Sequence, residues 1–201
     1  GKTGAFGQGS EDIVHRLSDM TCGLLAYGRI ARELSKMVRG MGMQVLVYDP
    51  YVKEINEDGI RLCPTMEEVL KHSDIVSVHT PLTEETRHMI AMPQLKLMKP
   101  DAVLVNTSRG GVICTDDLLD ALDQGIIGGA GLDVIEGEPR PAQDRAHHTR
   151  NLIYTPHVAM YSEEAMVDLH LKLTAQALDV LAGKWTRNIV NPKVKEKKDW
   201  K

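Results

Sequence analysis

Phenylalanine occurs once in the 201 residues, at Phe6, and aromatic residues of all kinds make up 4% of the chain. A core so short of aromatics must be filled by Leu, Val, Ile, Met and Ala. Cysteine is scarce as well. Cys22, Cys63 and Cys114 are odd in number, far apart and never form a C-x-x-C pair, which speaks against a disulfide framework and against a zinc site, so no metal is expected. They read as reduced thiols, and the expected compartment is the cytoplasm. No apolar run approaches the roughly 18 residues of a membrane-spanning helix, and the N-terminus lacks the apolar segment of a signal peptide. No membrane partner is expected. Positive charge is not in excess either: a net charge of -4 gives no broad electrostatic reason to bind nucleic acid. The basic "KVKEKKDWK" at the C-terminus reads as a solvated tail.

What the chain does have is a regular alternation. Hydrophobic residues at 42% and charged residues at 26% are those of an ordinary globular protein. A length of 201 residues accommodates one domain of roughly 150 residues with extensions. Six short apolar runs recur between amphipathic stretches: "CGLLA" (22–26), "QVLVYD" (44–49), "DIVSVH" (74–79), "DAVLVN" (101–106), "GGAGLDV" (128–134) and "NLIYT" (151–155). They lack the polar alternation of a half-exposed strand, so they read as parallel strands covered on both faces by helices.

Helix punctuation falls between these runs. Thr65 with Glu68 makes a capping box, and Thr115 is the expected N-cap ahead of Asp116, Asp117 and the stripe Leu118, Leu119 and Leu122, with Gly125 as the stop. Ser162 opens the longest expected helix, with Met166, Leu169, Leu173, Ala177 and Val180 on one face and Gly183 after it. The fold class is therefore α/β, a doubly wound parallel sheet. The expected divisions are residues 1–19 as a linker or remnant of another domain, 20–183 as the doubly wound domain and 184–201 as a C-terminal tail.

The first run leads into "AYGRIA" (26–31). In the dinucleotide fingerprint G-x-G-x-x-G the glycines serve a tight turn, close approach of backbone to a pyrophosphate, and close helix packing. Gly28 alone is kept here, with Ala26 and Ala31 at the outer positions. Taken alone, the segment fits a plain strand-to-helix turn as well. The second run ends in "VYDP", which puts Asp49 twenty-one residues after Gly28, where a carboxylate can accept both hydroxyls of an adenosine ribose. No arginine follows to meet a 2′-phosphate, so NAD is expected rather than NADP. By residue type Asp49 could also be a turn residue before Pro50. In "VNTSRGG" (105–111), Arg109 stands at the carboxyl end of a run, beside two glycines that remove side-chain bulk. Its planar fork suits a carboxylate and an adjacent carbonyl oxygen, and its alternative is a surface salt bridge.

The motifs "GRIA", "VYDP", "VHTPLTEETRHMI", "MKPDAVLVNTSRGG", "GLDVIEGEP" and "TPHVAMYSEEA" run through a stretch from about Leu17 to Val194. By them the chain resembles the D-isomer-specific 2-hydroxyacid dehydrogenases, and most of all the branch with C-terminal-binding-protein-like and phosphoglycerate-dehydrogenase-like members. The resemblance implies a Rossmann NAD-binding domain, hydride transfer between nicotinamide and a small D-2-hydroxy or 2-keto acid, and a homodimer in the full-length protein. It makes Arg109 the substrate anchor, His157 in "TPH" the proton donor, and Glu138 in "EGEP" the acid that holds the imidazole. Glu136 is a rival to Glu138, but the family pattern places the acid directly before a proline. The same resemblance implies that Gly28, Arg29, Ile30, Asp49, Thr80, Pro81, Thr107, Ser108, Arg109, Asp133 and His157 bind the cofactor, Asp133 through the nicotinamide carboxamide.

Three departures from the family pattern stand out. Ala26 replaces the first fingerprint glycine, and Met160 and Tyr161 follow the histidine where members often carry glycine or a bulky aromatic. In the family most of the substrate domain precedes the cofactor domain, and almost nothing precedes it here, so the chain is expected to be a cofactor domain largely without its substrate domain. The same residues would also serve an NAD(H)-sensing, corepressor-like module with little turnover, or an inactive cofactor-domain fragment.

Overall fold

A computed structural model describes residues 15–186 and 188–197. Most of the expected N-terminal linker, Arg187 and the last four residues of the tail lie outside the described residues. The elements run β1 (Thr21–Leu25), α1 (Arg29–Gly40), β2 (Gln44–Tyr48), β3 (Ile60–Leu62), α2 (Met66–His72), β4 (Ile75–Val78), α3 (Met92–Leu95), β5 (Val103–Asn106), α4 (Thr115–Asp123), β6 (Gly129–Leu132), β7 (Leu152–Tyr154) and α5 (Glu163–Leu181). All seven strands are parallel, in the order β3-β2-β1-β4-β5-β6-β7. The doubly wound sheet expected from the apolar runs is the one observed. Strand β3 is the addition: "IRL" is too short to register as an apolar run, yet Val45, Leu46 and Val47 of β2 pair with Ile60, Arg61 and Leu62.

The two-residue period of a strand divides the core between the two faces of the sheet. Leu24, Val45 and Val47 join Tyr27, Ala31 and Val38 under α1. Leu25, Leu46, Val76, Val78 and Leu104 join Val69, Leu70, Leu95 and Leu118 from α2, α3 and α4 on the other. The expectation that every strand is covered on both faces fails toward the far edge of the sheet, where Val103 is 36% and Ile153 73% exposed. Continuous apolar sequence there does not mean cover on both faces.

Cap chemistry follows the sequence in part, with departures at α2 and α4. Thr65 Oγ1 accepts the Glu68 amide at 3.3 Å, but the Glu68 carboxylate pairs with Arg61 instead of closing the box. Cys114, not Thr115, is the N-cap of α4, because Thr115 Oγ1 is committed to the Glu136 amide at 3.4 Å. Contacts divide the chain into two compact units, Gly1–His157 and Val158–Lys201. The sheet and α1 to α4 belong to the first. In the second, Ser162 Oγ caps α5 by accepting the Ala165 amide at 3.0 Å, and no residue of α5 is buried.

Asp74 pins the amino ends of three strands. Its Oδ2 accepts the Thr21 amide at 2.8 Å, its Oδ1 accepts Lys99 Nζ at 2.7 Å, and its carbonyl accepts the Val103 amide at 2.9 Å. Burial would raise this carboxyl, but Lys99 and the Thr21 amide outweigh it and hold the group below its ordinary value. A lowered carboxyl stabilises the fold above its unfolded-state value and ceases to do so as pH falls through the folded one. Asp74→Asn should therefore cost about 1–2 kcal/mol at neutral pH. The gap between variant and parent should close as pH falls below about 4, as urea denaturation across pH will measure.

Candidate active site

In parallel α/β sheets the carboxyl ends of the strands form the ligand-bearing edge, with a crevice where the strand order reverses. Here the reversal lies between β1 and β4. The residues that follow β1, β2, β4, β5, β6 and β7 include Ala26 to Gly28, Asp49, His79 to Pro81, Thr107 to Arg109, Asp133, and Thr155 to His157. One edge thus gathers nearly every residue singled out in the sequence.

Ala26 takes a left-handed backbone, φ 73°, at the position of the first fingerprint glycine. An L-residue pays roughly 1–2 kcal/mol for this conformation, and the turn is nonetheless made: the Ala26 amide donates to Tyr48 O at 2.8 Å. The next amide, of Tyr27, donates to Asp49 Oδ2 at 2.8 Å, and Tyr51 N donates to Asp49 Oδ1 at 2.8 Å. Asp49 is thus locked by backbone on both oxygens, each of which keeps a further lone pair for a ligand. The Tyr27 ring is buried beneath the turn, with Arg32 stacked 4.4 Å from its centroid.

Gly28 caps α1 without any side-chain bond, and a β-carbon there would meet nothing within 4 Å. Bare backbone and the positive end of a 12-residue helix therefore face open space, the setting in which a pyrophosphate binds. The space is a cleft of about 820 Å³ whose walls include Gly28, Arg29, Ile30, Thr107 and Ser108. Asp49 lies instead on a neighbouring cavity of about 460 Å³ with Tyr48, Pro50, Val52, Leu62 and Pro64. Thr80 is buried, its Oγ1 donating to Leu25 O at 3.3 Å, and Pro81 is exposed. Neither lines the large cleft. His79 does, with Nε2 3.0 Å from Ser77 Oγ, and burial lowers its proton affinity.

Arg109 is exposed and makes no ion pair among the described residues; its Nη1 donates to its neighbour's carbonyl, Ser108 O, at 2.7 Å. The loop that carries it is built on Asn106, which is fully buried. Asn106 Oδ1 accepts from Ser108 N at 2.9 Å and Ser108 Oγ at 2.8 Å, and its Nδ2 donates to Arg109 O at 3.0 Å. This scaffold could have been suspected in "VNTSR" from the habit of asparagine of bonding the backbone just ahead of it.

Glu138 and His157 meet directly, Oε1 to Nδ1 at 2.6 Å, while Glu138 Oε2 accepts the Ile135 amide at 3.0 Å. His157 adopts φ 56° and its amide donates to Asp133 O at 2.8 Å. The rival acid Glu136 faces elsewhere, with both carboxylate oxygens 2.9 Å from His88 Nε2 and one 3.6 Å from Arg87. Asp133 is 5% exposed and accepts from Thr155 Oγ1 at 2.6 Å. Among the described residues no cluster of three or more His, Cys, Asp or Glu is arranged to hold a metal ion.

Gly110 joins the arginine loop to the glutamate loop. A β-carbon on it would overlap the main chain of Ile135 and the Glu136 amide. Overpacking against backbone cannot be relieved by a rotamer change, so Gly110→Ala should lower stability by about 1–3 kcal/mol. At Gly111 the nearest atoms, 3.2–3.5 Å away, belong to the flexible side chains of Leu82 and Arg87. Gly111→Ala should therefore cost distinctly less, which thermal melts of the two variants will compare.

A family model described as D-isomer specific 2-hydroxyacid dehydrogenase, NAD binding domain, matches residues 2–159. A glyoxylate reductase from Thermococcus litoralis is 38% identical over 179 residues, 89% of this chain and 54% of that protein. A D-3-phosphoglycerate dehydrogenase from Methanocaldococcus jannaschii is 38% identical over 181 residues, 89% of this chain and 34% of its own length. Among solved structures, D-lactate dehydrogenase with NAD+ from Lactobacillus jensenii superimposes with a TM-score of 0.82 at 28% identity, covering 89% of this chain and 58% of that one. The chain spans about half the length, or less, of the relatives it matches.

Proposed function

Since the chain belongs to the D-isomer specific 2-hydroxyacid dehydrogenase family, through its NAD-binding domain, we propose that it is the cofactor-binding part of an NAD-dependent oxidoreductase acting on a small D-2-hydroxy or 2-keto acid. The observation that carries this reading is the Glu138–His157 pair, 2.6 Å apart on the sheet edge that also bears Arg109. The bound dinucleotide would supply or receive the hydride. Gly28, Arg29 and Ile30 would hold its pyrophosphate at the start of α1, with Asp49 on the adenosine ribose, Thr107 and Ser108 along the cleft, and Asp133 on the carboxamide. Thr80 and Pro81 would support the groove from its edge.

Arg109 would grip the substrate carboxylate and the adjoining oxygen, which its fork can do with two parallel bonds. With Nδ1 engaged by Glu138, Nε2 of His157 is the ring atom left to give a proton to the keto oxygen, or to take one from the alcohol. Glu138 keeps the ring oriented through this exchange. We assign residues 20–183 to the dinucleotide-binding domain and 184–201 to a tail leading back to a substrate domain, with the full-length enzyme a cytoplasmic homodimer that binds neither nucleic acid nor membrane.

NADH should bind this chain in preference to NADPH, because the Asp49 carboxylate meets free ribose hydroxyls but repels a 2′-phosphate. Nicotinamide fluorescence titration checks this, and Asp49→Ala should erase the discrimination. In the full-length protein Arg109→Gln should cost keto-acid reduction far more than NADH affinity, and His157→Gln should slow turnover by roughly two to four powers of ten. Parental rates in either variant would overturn the assignment.

A further inference from the structure

Glu136, the acid set aside in favour of Glu138, is held by a residue that the proposed chemistry does not use. Both of its carboxylate oxygens lie 2.9 Å from His88 Nε2, and Arg87 Nη1 stands 3.6 Å from one of them. A carboxylate only accepts, so Nε2 is the donor. The backbone of His88 serves the arginine loop. Its amide donates to Gly111 O at 2.9 Å, and the segment that follows is joined to the same loop by Ile90 N to Val112 O at 3.2 Å and Cys114 N to Ile90 O at 2.8 Å. One residue is therefore bonded by main chain to the loop that carries Arg109 and by side chain to the loop that carries Glu138. His88 also adopts φ 52°, a left-handed conformation in which a residue with a β-carbon is strained. Strain at the junction of two functional loops marks a conformation imposed by its surroundings.

We propose that His88 is a positioning residue for the Glu138–His157 pair: through Glu136 it helps to hold the glutamate loop in register with the loop that carries Arg109. This rests on the reading above, in which Arg109 and His157 act on one substrate. Glu136 is two residues from Glu138, and Gly137 between them takes φ 73°. A link without a β-carbon resists rotation little, so part of the setting of Glu138 comes from how firmly Glu136 is fixed. The loop has other holds: the contact of Gly110 with the Ile135 and Glu136 main chain, the bond of the Glu136 amide to Thr115 Oγ1 at 3.4 Å, and that of the Ile135 amide to Glu138 Oε2 at 3.0 Å. His88 adds one at the end of the Glu136 side chain. With these two side chains 40% and 34% exposed, the added hold is a partial one. Its loss loosens the pair without dismantling the loop.

Glycine tolerates the left-handed backbone and keeps the amide, so His88→Gly removes the imidazole alone. In the full-length protein it should lower kcat for keto-acid reduction roughly three- to fivefold, the range of a partly exposed ion pair. KM for the keto acid should stay unchanged, because the main-chain bond to Gly111 O remains. Glu136→Ala should cost the same factor in kcat, and the double variant no more than either, since both remove one bond. A second measurement needs no turnover and uses the chain itself. In the contact with Glu138 the proton sits on His157 Nδ1, and nitrogen-15 shifts of isotopically labelled histidine give the share of neutral rings protonated there. That share should fall in His88→Gly and in Glu136→Ala alike. A rise in KM in step with the fall in kcat, or losses that add in the double variant, would make the contact merely structural and overturn the proposal. Parental kcat in both single variants, or an unmoved His157 signal in both, would overturn it too. A full-length parent inactive on every keto acid would strike the oxidoreductase reading instead, and the nitrogen-15 comparison would then decide the proposal alone.

Discussion

The parallel hydrogen-bonded ladder centred on β1 is the constraint on which everything else rests. With β2 on one side and β4 on the other, all in the same direction, seven carboxyl ends share one edge, and the loops that leave them start a few ångströms from one another. Residues as distant in sequence as Gly28, Asp49, Arg109, Asp133 and His157 converge without any loop having to be long. The same arrangement places the amino ends together on the opposite edge, where Asp74 gathers β1, β4 and β5. Stability and chemistry are thereby assigned to opposite ends of the same strands.

At the carboxyl edge, backbone supplies much of the precision. Asp49 is set by two amides, Asp133 by its own amide and carbonyl, and the Arg109 loop by a buried asparagine that bonds only to main chain and its neighbouring serine. Backbone donors do not change with side-chain substitution and lose no rotamer entropy when they bind. The side chains that remain free to address a ligand are few, and Arg109 is foremost among them, with no ion pair to break first among the described residues.

The fold was legible because its signal is redundant: apolar runs, turn residues and caps repeated six times. The candidate site was legible where short motifs carry meaning, as in "VYDP", "SRGG" and "TPH". Beyond that, the sequence falls silent for identifiable reasons. Strand β3 owes its existence to pairing with β2 rather than to its own pattern, and the open face beside Val103 and Ile153 reflects what packs there rather than what the strands are made of. Ala26 shows that the fingerprint specifies a conformation rather than a residue. Thr115 looks like a cap until Glu136, twenty-one residues away, claims its hydroxyl. Thr155 gives its hydroxyl to Asp133, twenty-two residues away, a partner that no local window contains. The pairing of Glu136 with His88, and of Glu138 with His157, is likewise a matter of three loops meeting.

The contact between Gly110 and the Ile135–Glu136 main chain bears on how the site responds to change. Two loops pressed together at a point with no side chain between them leave neither room to move toward the other. A shift that presses Gly110 inward must displace the Ile135–Glu136 main chain, and with it the loop that carries Glu138. Energetic effects of substitutions at the two loops will then be coupled rather than summed, and variation in one loop is tolerated only to the extent that the other can follow. The anion-gripping and proton-handling functions would therefore be expected to drift together as one inherited unit, even though the residues that perform them stand far apart in the chain.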